Sequence, residues 1–376
     1  MPENLQSLPD RVTPTARVYL MPIGLAHRRT MATMIATGAA LPLAGGPLAF
    51  AACEIAVRDE RISRETASVS EMTAWALRLG GKIGARITQL LDRLSEPRAG
   101  RNGEGLAWPR LMGVINATPD SFSDGGEHLD PAAAIAHGQR LAECGADILD
   151  IGGESTRPGA LPVEPALEVD RVLPVIQGLM PLRATIPHLR LSIDTRHAAV
   201  MRAAVGAGID ILNDVTALAG DADSLAVAAA ARTDVVLMHM QGEPGTMNVA
   251  PKYADVALDV FDFLEARVNA CIAAGIDRQR LIVDPGIGFG KRGAQNLAIL
   301  RSLALFHGLG CPVLLGVSRK GLGSEAGLRL TPKERLPLSL AAAMHALGHG
   351  VQLLRVHDVA ETRRVVELWR RLNESD

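Results

Sequence analysis

From residue 109 onward, short apolar runs alternate with segments of helical length, and this unit repeats eight times. Apolar runs separated by amphipathic segments predict the strands of a parallel sheet that helices cover on both faces. The predicted strands are residues 111–116, 148–151, 191–194, 209–213, 235–239, 281–284, 313–316 and 353–356. The predicted helices between them include residues 131–144, 197–207, 256–274, 332–348 and 360–372.

The number of these units indicates the architecture. Eight strand–helix units in about 260 residues are what a closed (β/α)8 barrel needs, so we predict an α/β fold of the TIM-barrel type. An open, doubly wound sheet would use the same units and is the alternative fold. Both folds gather the carboxyl ends of their strands on one side, where their binding sites are built.

The first 108 residues lack this regular alternation. They begin with irregular, proline-containing sequence and continue with a predicted helical stretch at residues 70–94. A polar, glycine-rich linker follows at residues 96–105, and such composition is typical of a connecting segment. We therefore predict an N-terminal extension over residues 1–108 and a barrel over residues 109–376.

One segment of the extension resembles an export signal. Arg28 and Arg29 precede an Ala-, Leu- and Gly-rich run that closes at Cys53, as in twin-arginine leaders and lipoprotein cleavage sites. Pro42 and Pro47 interrupt the run, however, and prolines break a continuous apolar helix. We therefore expect a cytoplasmic protein, with export as the alternative.

Composition narrows the possible functions. The chain has 39 Lys and Arg residues against 41 Asp and Glu residues, which argues against a general affinity for nucleic acid or for a membrane surface. No segment is long and apolar enough to predict a membrane span. Aromatic residues make up only 3% of the chain, so the core is expected to be aliphatic. Four cysteines lack metal-binding spacing and are predicted to be free and buried: Cys53, Cys144, Cys271 and Cys311.

Polar side chains mark the carboxyl ends of the predicted strands. Any one of them, Asp194 for example, could simply cap the helix that follows. Polar ends on all eight strands, however, predict a binding site at the mouth of the barrel, because these ends meet there. The residues concerned are Asn116, Glu154, Arg157, Asp194, Asn213, His239, Asp284, Lys320, Arg355 and His357.

The chemistry of these residues suggests what the mouth binds. Asp194 and Asp284 lie on different strands, and two carboxylates facing one pocket suit a ligand edge rich in N–H donors, such as that of a pterin. A second, mostly basic set suits a diphosphate. It comprises Asn116, Arg157, Lys320, Arg355 and His357. No Cys–His or Ser–His–Asp arrangement predicts a covalent intermediate, so the residues indicate group transfer with diphosphate as the leaving group.

Eight sequence blocks resemble the signature motifs of dihydropteroate synthases. They are MGVINATPDSFSDGG (112–126), GADILDIGGESTRPGA (145–160), SIDTR (192–196), NDV (213–215), LMHMQG (237–242), DPGIGFGK (284–291), GVSRK (316–320) and LRVHDV (354–359). The blocks occur in order from about residue 110 to the C terminus, so the resemblance covers the whole of the predicted barrel.

The resemblance implies an activity. Members of this family join 6-hydroxymethyl-7,8-dihydropterin diphosphate to para-aminobenzoate, and they release diphosphate and dihydropteroate for folate synthesis. They are (β/α)8 barrels that use Mg2+, are cytoplasmic homodimers, and are the target of sulfonamides. We expect the same of this chain, with small molecules as its substrates.

The resemblance also implies roles for individual residues. Those expected to bind the pterin are Asp194, Asn213, Met240, Asp284 and Lys320. Those expected to bind the diphosphate are Asn116, Arg157, Arg355 and His357, with Asn116 also reaching the Mg2+. Those expected to bind para-aminobenzoate are Thr156, Arg157, Pro158, Phe289 and Gly321. The residues expected to act in catalysis are Asp194, Asp284, Lys320, Arg355 and His357.

One position departs from the family pattern, because Gly321 stands where members commonly have a serine. This leaves a non-catalytic, pterin-binding paralogue as one alternative function. A pterin-dependent methyltransferase, which works with a corrinoid partner, is the other. A methyltransferase has no diphosphate to hold, so the Arg157 loop, the SRK block and the RVHDV ending (355–359) favour the synthase.

Overall fold

The computed structural model describes residues 12–13, 15–98, 109–117, 131–155, 162–242, 247, 251–323, 327–331 and 334–373. Within these ranges, an extension of short strands and helices precedes an eight-stranded barrel. No helix in the described part of the chain is both long and apolar enough to cross a bilayer.

The extension contains six strands and one short helix before residue 69. The strands are β1 (Arg17–Ile23), β2 (Ala26–His27), β3 (Leu41–Pro42), β4 (Leu48–Phe50), β5 (Ala52–Arg58) and β6 (Ile62–Ser68), and the helix is α1 (Ala32–Ala36). Strands β1, β5 and β6 form one antiparallel sheet, and β2, β4 and β3 form a second.

None of these strands was predicted from the sequence, and for β1 two features explain why. Strand β1 is buried over most of its length, so it lacks the alternation of apolar and polar residues that indicates a half-exposed strand. It also contains Pro22, which lies opposite Cys53 of β5. Proline argues against a strand except at the edge of a sheet, and β1 is an edge strand.

The predicted helix over residues 70–94 is two helices, α2 (Val69–Leu79) and α3 (Gly81–Ser95). Gly80 and Gly81 separate them with φ angles of 55° and 51°. This left-handed region is readily accessible only to glycine, so the glycine pair ends α2 and redirects the chain into α3. The apolar face of α3 then packs against the barrel.

Eight parallel strands form the barrel. They are β7 (Arg110–Asn116), β8 (Ile148–Gly152), β9 (Arg190–Asp194), β10 (Ile211–Asp214), β11 (Asp234–Met238), β12 (Leu281–Asp284), β13 (Leu314–Gly316) and β14 (Leu353–Val356). The last strand, β14, pairs with the first, β7, and a parallel bridge between Val283 and Val313 joins β12 to β13. The sheet is therefore closed, which confirms the predicted barrel and excludes the open sheet.

A helix follows each barrel strand. The helices are α4 (Pro131–Glu143), α5 (Pro165–Leu179), α6 (Ala198–Gly206), α7 (Ser224–Ala230), α8 (Val256–Ala273), α9 (Gly293–Arg301), α10 (Leu336–Gly348) and α11 (Val359–Asn373). The strand bounds agree with the predicted ones to within two residues. Local sequence pattern therefore located every strand of the barrel.

The interior of the barrel is layered. The lower layer is apolar and consists of Met112, Ile148, Ile211, Val236, Ile282, Leu314 and Leu353. Side chains alternate in direction along a strand, so the residues two positions further on face the interior again. These include Asp150, Asn213, Met238, Asp284, Gly316 and Arg355. The polar site therefore lies directly above an apolar floor.

The extension packs on the outside of the barrel, against α8 and the 3-10 helix Leu303–Leu309. The ring of Tyr19 meets that of Phe261 on α8 edge to face, with centroids 5.6 Å apart. Arg98 is buried and donates a hydrogen bond to the carbonyl oxygen of His307 at 2.9 Å. The boundary near residue 108 remains a prediction, since residues 99–108 lie outside the described ranges.

The four cysteines are free, and three of them are buried as expected: Cys53, Cys271 and Cys311. The prediction is wrong for Cys144, which is exposed. Cys144 follows the last residue of α4, in the turn that leads to β8, and that turn lies at the surface.

Candidate active site

An arginine shared by two carboxylates lies at the centre of the mouth. Arg355, on β14, donates from Nε to Oδ2 of Asp150 at 2.6 Å and from Nη2 to Oδ2 of Asp194 at 2.7 Å. The amide Nδ2 of Asn213 donates to the same Asp150 oxygen at 3.0 Å. Four strands thus contribute to one network of charge-assisted hydrogen bonds, which are shorter and stronger than neutral ones.

Strand register brings this network together. Asn116 on β7 pairs with Gly152 on β8, Gly152 pairs with Asp194 on β9, and Asp194 pairs with Asn213 on β10. These four residues therefore form one row across the barrel. Gly152 keeps the row open, because an added Cβ there would meet the Asp194 side chain at 3.6 Å.

The other half of the mouth is built around Lys320. Its Nζ donates to the carbonyl oxygen of Ile287 and lies 4.7 Å from the ring centroid of Phe289, within the range of a cation–π contact. Asp284 accepts a hydrogen bond from the backbone N–H of Gly286 at 2.7 Å. A Cβ placed on Gly316 would lie 3.8 Å from Lys320 Nζ and 4.0 Å from Asp284 Oδ2, so this glycine leaves space between the two charges.

A buried lysine shapes the turn that supports Lys320. The Nζ of Lys291 donates to the carbonyl oxygens of Gly286 and Phe289, at 2.8 and 3.0 Å. It also lies 2.9 Å from Nδ1 of His239. Burial lowers the pKa of Lys291 well below its usual value, and burial followed by the nearby Lys291 charge lowers the pKa of His239 to about 2. His239 is therefore neutral near pH 7, and its Nδ1 accepts a hydrogen bond from Lys291.

The SRK block after β13 connects to the end of β14. The hydroxyl of Ser318 accepts a hydrogen bond from the backbone N–H of His357 at 3.1 Å and lies 3.2 Å from its Nδ1. Arg319 has a φ of 58° and donates from Nε to Asp358 at 3.0 Å. These contacts fix the direction of the chain on either side of Lys320.

Burial dominates the electrostatics of the mouth. It raises the pKa of Asp194 to about 7, with the Arg355 charge acting in the opposite direction. Burial likewise raises the pKa of Asp284, which Lys320 partly offsets, and lowers the pKa of Lys320 to about 8. The pKa of Arg355 is raised despite its burial, because Asp150 and Asp194 surround it. Perturbed pKa values of this kind cluster at functional sites.

Among the described residues, Glu154, Glu168 and His197 form a group of potential metal ligands. Both oxygens of Glu154 accept hydrogen bonds from Arg196 at 2.9 Å, and Glu168 lies 2.7 Å from Nδ1 of His197. Mg2+ prefers oxygen ligands and keeps several waters. An imidazole and a carboxylate already bound to arginine do not suit it, whereas the half-buried amide of Asn116 at the mouth offers an oxygen.

The structure brings together six of the predicted site residues: Asp194, Asn213, Asp284, Phe289, Lys320 and Arg355. Four more lie at the same end of the barrel, at or just beyond strand ends: Asn116, Met240, Gly321 and His357. Thr156, Arg157 and Pro158 lie outside the described residues. The individual roles assigned to all of these residues remain predictions.

Sequence reasoning gave no role to two residues of the site, Asp150 and Lys291, although Asp150 lies at the polar end of the second predicted strand. Asp150 sits within an apolar strand, two positions after Ile148, and a charge at such a position is an unusual inward-facing residue. That signal was available in the alternation of β8. The role of Lys291 was not available, because it depends on which carbonyl groups the folded turn directs inward.

Comparison with known proteins gives a consistent result. Residues 112–357 match the family described as pterin binding enzyme. Over 280 residues the chain is 46% identical to the dihydropteroate synthase of Neisseria meningitidis serogroup B, an alignment that covers 73% of this chain and 96% of that protein. It is 43% identical over 265 residues to the Escherichia coli K12 dihydropteroate synthase, which covers 70% of this chain and 92% of that protein.

Solved structures agree. The Xanthomonas albilineans dihydropteroate synthase with 4-aminobenzoic acid has a TM-score of 0.68 and 48% identity, and the match covers 74% of this chain and 99% of that one. The same enzyme in complex with 7,8-dihydropteroate has a TM-score of 0.64 and 45% identity, covering 72% and 96% of the two chains. From its barrel, its site and these similarities, the chain belongs to the dihydropteroate synthases, the pterin-binding transferases of folate synthesis.

Proposed function

We propose that the barrel mouth condenses 6-hydroxymethyl-7,8-dihydropterin diphosphate with para-aminobenzoate and releases diphosphate, with the residue roles given below. The observation that carries this assignment is the pairing of buried carboxylates with half-buried cations across one mouth. Asp194 lies beside Arg355, and Asp284 lies beside Lys320. Such a mouth can accept hydrogen bonds from a pterin and donate them to a diphosphate at the same time.

The pterin binds in the depth of the mouth. Asp194, Asn213 and Asp284 direct oxygen acceptors inward from three strands, and the N–H groups of an aminopyrimidinone ring donate to them. Lys320 donates to a ring oxygen or nitrogen near Asp284, and Met240 packs on the ring face. The apolar layer below, which includes Ile211 and Ile282, limits how deep the ring can enter.

The diphosphate binds nearer the rim. Arg355 uses Nε and Nη2 within the protein, and its Nη1 makes no hydrogen bond to the described residues, so this nitrogen is directed to a phosphate oxygen. His357 and Arg157 add donors, and Asn116 provides an oxygen for Mg2+ as well as an N–H for the phosphate. When bound, Mg2+ neutralises charge on the departing diphosphate.

The protein promotes the transfer by charge and by position. Cleavage of the C–O bond leaves positive charge on the pterin methylene, and the carboxylate of Asp194 stabilises it, while Arg355 stabilises the leaving group. The aromatic amine of para-aminobenzoate is already a nucleophile, so no side chain has to remove a proton first. Correct alignment of the amine with the methylene carbon supplies the remaining acceleration.

Para-aminobenzoate binds against Phe289 and the chain after Lys320, and the family resemblance assigns Thr156, Arg157 and Pro158, which lie outside the described residues, to the same pocket. The carboxylate of the substrate lies near Gly321. An added Cβ at Gly321 would meet no atom of the described residues within 4 Å.

A product assay tests the proposal. The protein is incubated with the pterin diphosphate, Mg2+ and radiolabelled para-aminobenzoate, and we expect labelled dihydropteroate. Intact pterin binding without product would instead identify a non-catalytic paralogue. Methyl transfer from a methylated pterin to a corrinoid would identify a methyltransferase.

The family resemblance also implies a homodimer, a cytoplasmic location and sensitivity to sulfonamides, and we include these in the proposal. Two large apolar side chains on α11, Leu368 and Leu372, are 54% and 70% exposed, which supports a second copy of the chain as the partner. Light scattering during size-exclusion chromatography would measure the oligomeric mass. A monomer at micromolar concentration would contradict the dimer.

A further inference from the structure

Asp150 lies at the centre of β8 and is fully buried. Its neighbours in register are Val114 on β7 and Ser192 on β9. Ile148, two residues earlier on the same strand, belongs to the apolar floor of the barrel. A carboxylate buried in such surroundings is costly unless it is paired and hydrogen-bonded. The residue therefore has to be understood through the groups that it holds.

One oxygen of Asp150 holds two groups from distant strands. Oδ2 accepts from Nε of Arg355 at 2.6 Å and from Nδ2 of Asn213 at 3.0 Å. Arg355 is on β14 and Asn213 on β10, and each strand is two places away from β8 in the order of the barrel. Asp150 thus links the residue proposed to hold the diphosphate with a residue proposed to hold the pterin.

The two hydrogen bonds fix what each group presents to a ligand. The amide of Asn213 donates to Asp150 through Nδ2, so its Oδ1 is left to accept a hydrogen bond. The guanidinium of Arg355 is held by Nε and Nη2 at once, which sets its plane and directs Nη1 away from the two carboxylates. A rotated amide or guanidinium would offer the ligand the wrong atoms.

We propose that Asp150 is a positioning residue for the transfer reaction, which orients Arg355 toward the diphosphate and Asn213 toward the pterin. This inference rests on the proposed function for the names of the two ligands. The geometry that supports it involves Asp150, Asn213 and Arg355 alone. The other carboxylate oxygen, Oδ1, has no hydrogen-bond partner among the described residues, so Oδ2 carries the orienting contacts.

The isosteric change Asp150→Asn is the direct test. An asparagine at this position keeps the volume and can offer its amide oxygen to both donors, but it loses the negative charge, which weakens the hydrogen bonds that hold Arg355 and Asn213. We expect affinity for 6-hydroxymethylpterin and for inorganic diphosphate with Mg2+, each measured by calorimetry, to fall about ten- to hundredfold. The KM for para-aminobenzoate should change less than about twofold, since Asp150 orients neither side of its pocket.

Ser192→Ala is the matched control. Ser192 is buried beside Asp150 on β9, and its hydroxyl has no hydrogen-bond partner among the described residues. The Ser192→Ala change alters the barrel interior at the level of Asp150 but removes no contact that orients Arg355 or Asn213. The affinities for the pterin and for diphosphate should therefore stay as in the unchanged protein. In the background of Arg355→Lys, adding Asp150→Asn should cost little further diphosphate affinity, because Asp150 acts on that ligand through Arg355.

Three results would overturn the inference. They are unchanged pterin and diphosphate affinities in Asp150→Asn, equal losses in Ser192→Ala, or a KM for para-aminobenzoate that rises as much as the KM for the pterin diphosphate. Failure to form dihydropteroate would reject the proposed function instead, and the two binding measurements would still decide the role of Asp150.

If Asp150→Asn does not fold, the unchanged protein still provides a decision. Nitrogen-15 labelling of arginine allows the Nε–H of Arg355 to be observed by NMR and assigned by its absence in Arg355→Lys. Slow exchange of this proton with water is expected from its short bond to a buried carboxylate. Fast exchange would overturn the inference.

Discussion

Arginine–carboxylate pairs occur in two regions of this molecule, the barrel mouth and the face of α8 that meets the extension. The two regions differ in how many arginines are available to each carboxylate. At the mouth, Asp150 and Asp194 share the single guanidinium of Arg355. At α8, five of the described arginines meet the four acids of the helix and its N-cap, and one of them, Arg64, also pairs with Glu54 of β5. Arg17, Arg58, Arg64, Arg86 and Arg93 pair with Asp255, Asp259, Asp262 and Glu265.

The two regions differ in how far the carboxylate oxygens are occupied by donors from the protein. Glu265 receives three arginines, at distances between 2.6 and 3.2 Å, so its acceptors are fully used within the protein. At the mouth, one oxygen of Asp150 has no partner among the described residues, and burial raises the pKa of Asp194 to about 7. Saturated pairs fasten one part of a protein to another, whereas an excess of buried acceptors favours a ligand that brings donors.

The largest test of this contrast is Arg355→Met at the mouth. It leaves two buried carboxylates without their cation, and removing one partner of a buried pair costs about 3–5 kcal/mol. We expect the free energy of unfolding at neutral pH to fall by that amount and diphosphate binding to be lost. Urea denaturation and calorimetry measure the two effects. A decrease in the free energy of unfolding below about 1 kcal/mol, as for exposed ion pairs, would show that the pairs at the mouth contribute no more than those at α8.

Asp284→Asn should act on the ligand more than on the fold. The backbone contact with Gly286 can be kept by the amide oxygen, so stability should change little. The charge facing Lys320 and the pterin is lost, and pterin affinity should fall about ten- to hundredfold. Calorimetry with 6-hydroxymethylpterin measures the loss, and unchanged affinity would place the pterin elsewhere.

The pKa of Lys320, which burial lowers to about 8, predicts opposite pH trends for binding and for stability. Above pH 8 the folded protein loses the lysine charge, so pterin affinity should fall by up to about tenfold per pH unit. The unfolded chain keeps this proton up to its usual pKa of 10.5, so the contribution of Lys320 to the free energy of unfolding should rise between these pH values. Lys320→Arg, which stays charged, should remove both trends. A binding profile with the same alkaline limb in that variant would assign it to another group.

At α8, Arg58→Ala should have a smaller effect. Arg58 pairs with Asp259 and Asp262 at 2.6 and 2.9 Å, and its side chain is 21% exposed. Tyr19 and Arg17 still contact Asp262 after the change. We expect a loss of about 0.2–1 kcal/mol in the free energy of unfolding and unchanged ligand affinities. A loss in the free energy of unfolding as large as that of Arg355→Met would show that the other contacts to Asp262 do not compensate for the loss of Arg58.

The smallest effect is expected at the rim of the mouth, where Gly321 is exposed. Gly321→Ser adds a hydroxyl beside the proposed carboxylate position, where no atom of the described residues lies within 4 Å of an added Cβ. One neutral or charge-assisted hydrogen bond at an exposed site should lower the KM for para-aminobenzoate about two- to tenfold, with kcat unchanged. Steady-state kinetics measure this. A higher KM would show that the site has adapted to glycine.

Much of the barrel and of its site could be predicted because the relevant signals are local. An apolar run with a polar end identifies a strand and a mouth residue at once, and Asp194, Asn213, Asp284 and Arg355 were found in this way. Strand β1 could not be found in this way, because it is buried on most of its length and carries Pro22. Cys144 shows the same limit, since apolar character alone does not indicate whether a turn is covered.

Sequence alone determined the eight strand–helix units, the order of the motifs and the set of polar residues at the mouth. Only the tertiary structure decided which of these residues hold one another. Arg355 and Asp150 are 205 positions apart, and they meet because β14 closes on β7. Alternation along a strand is a property of neighbouring residues, whereas barrel closure depends on packing of the whole chain. The partners of Arg355, and with them the role of Asp150, therefore emerge only from the fold.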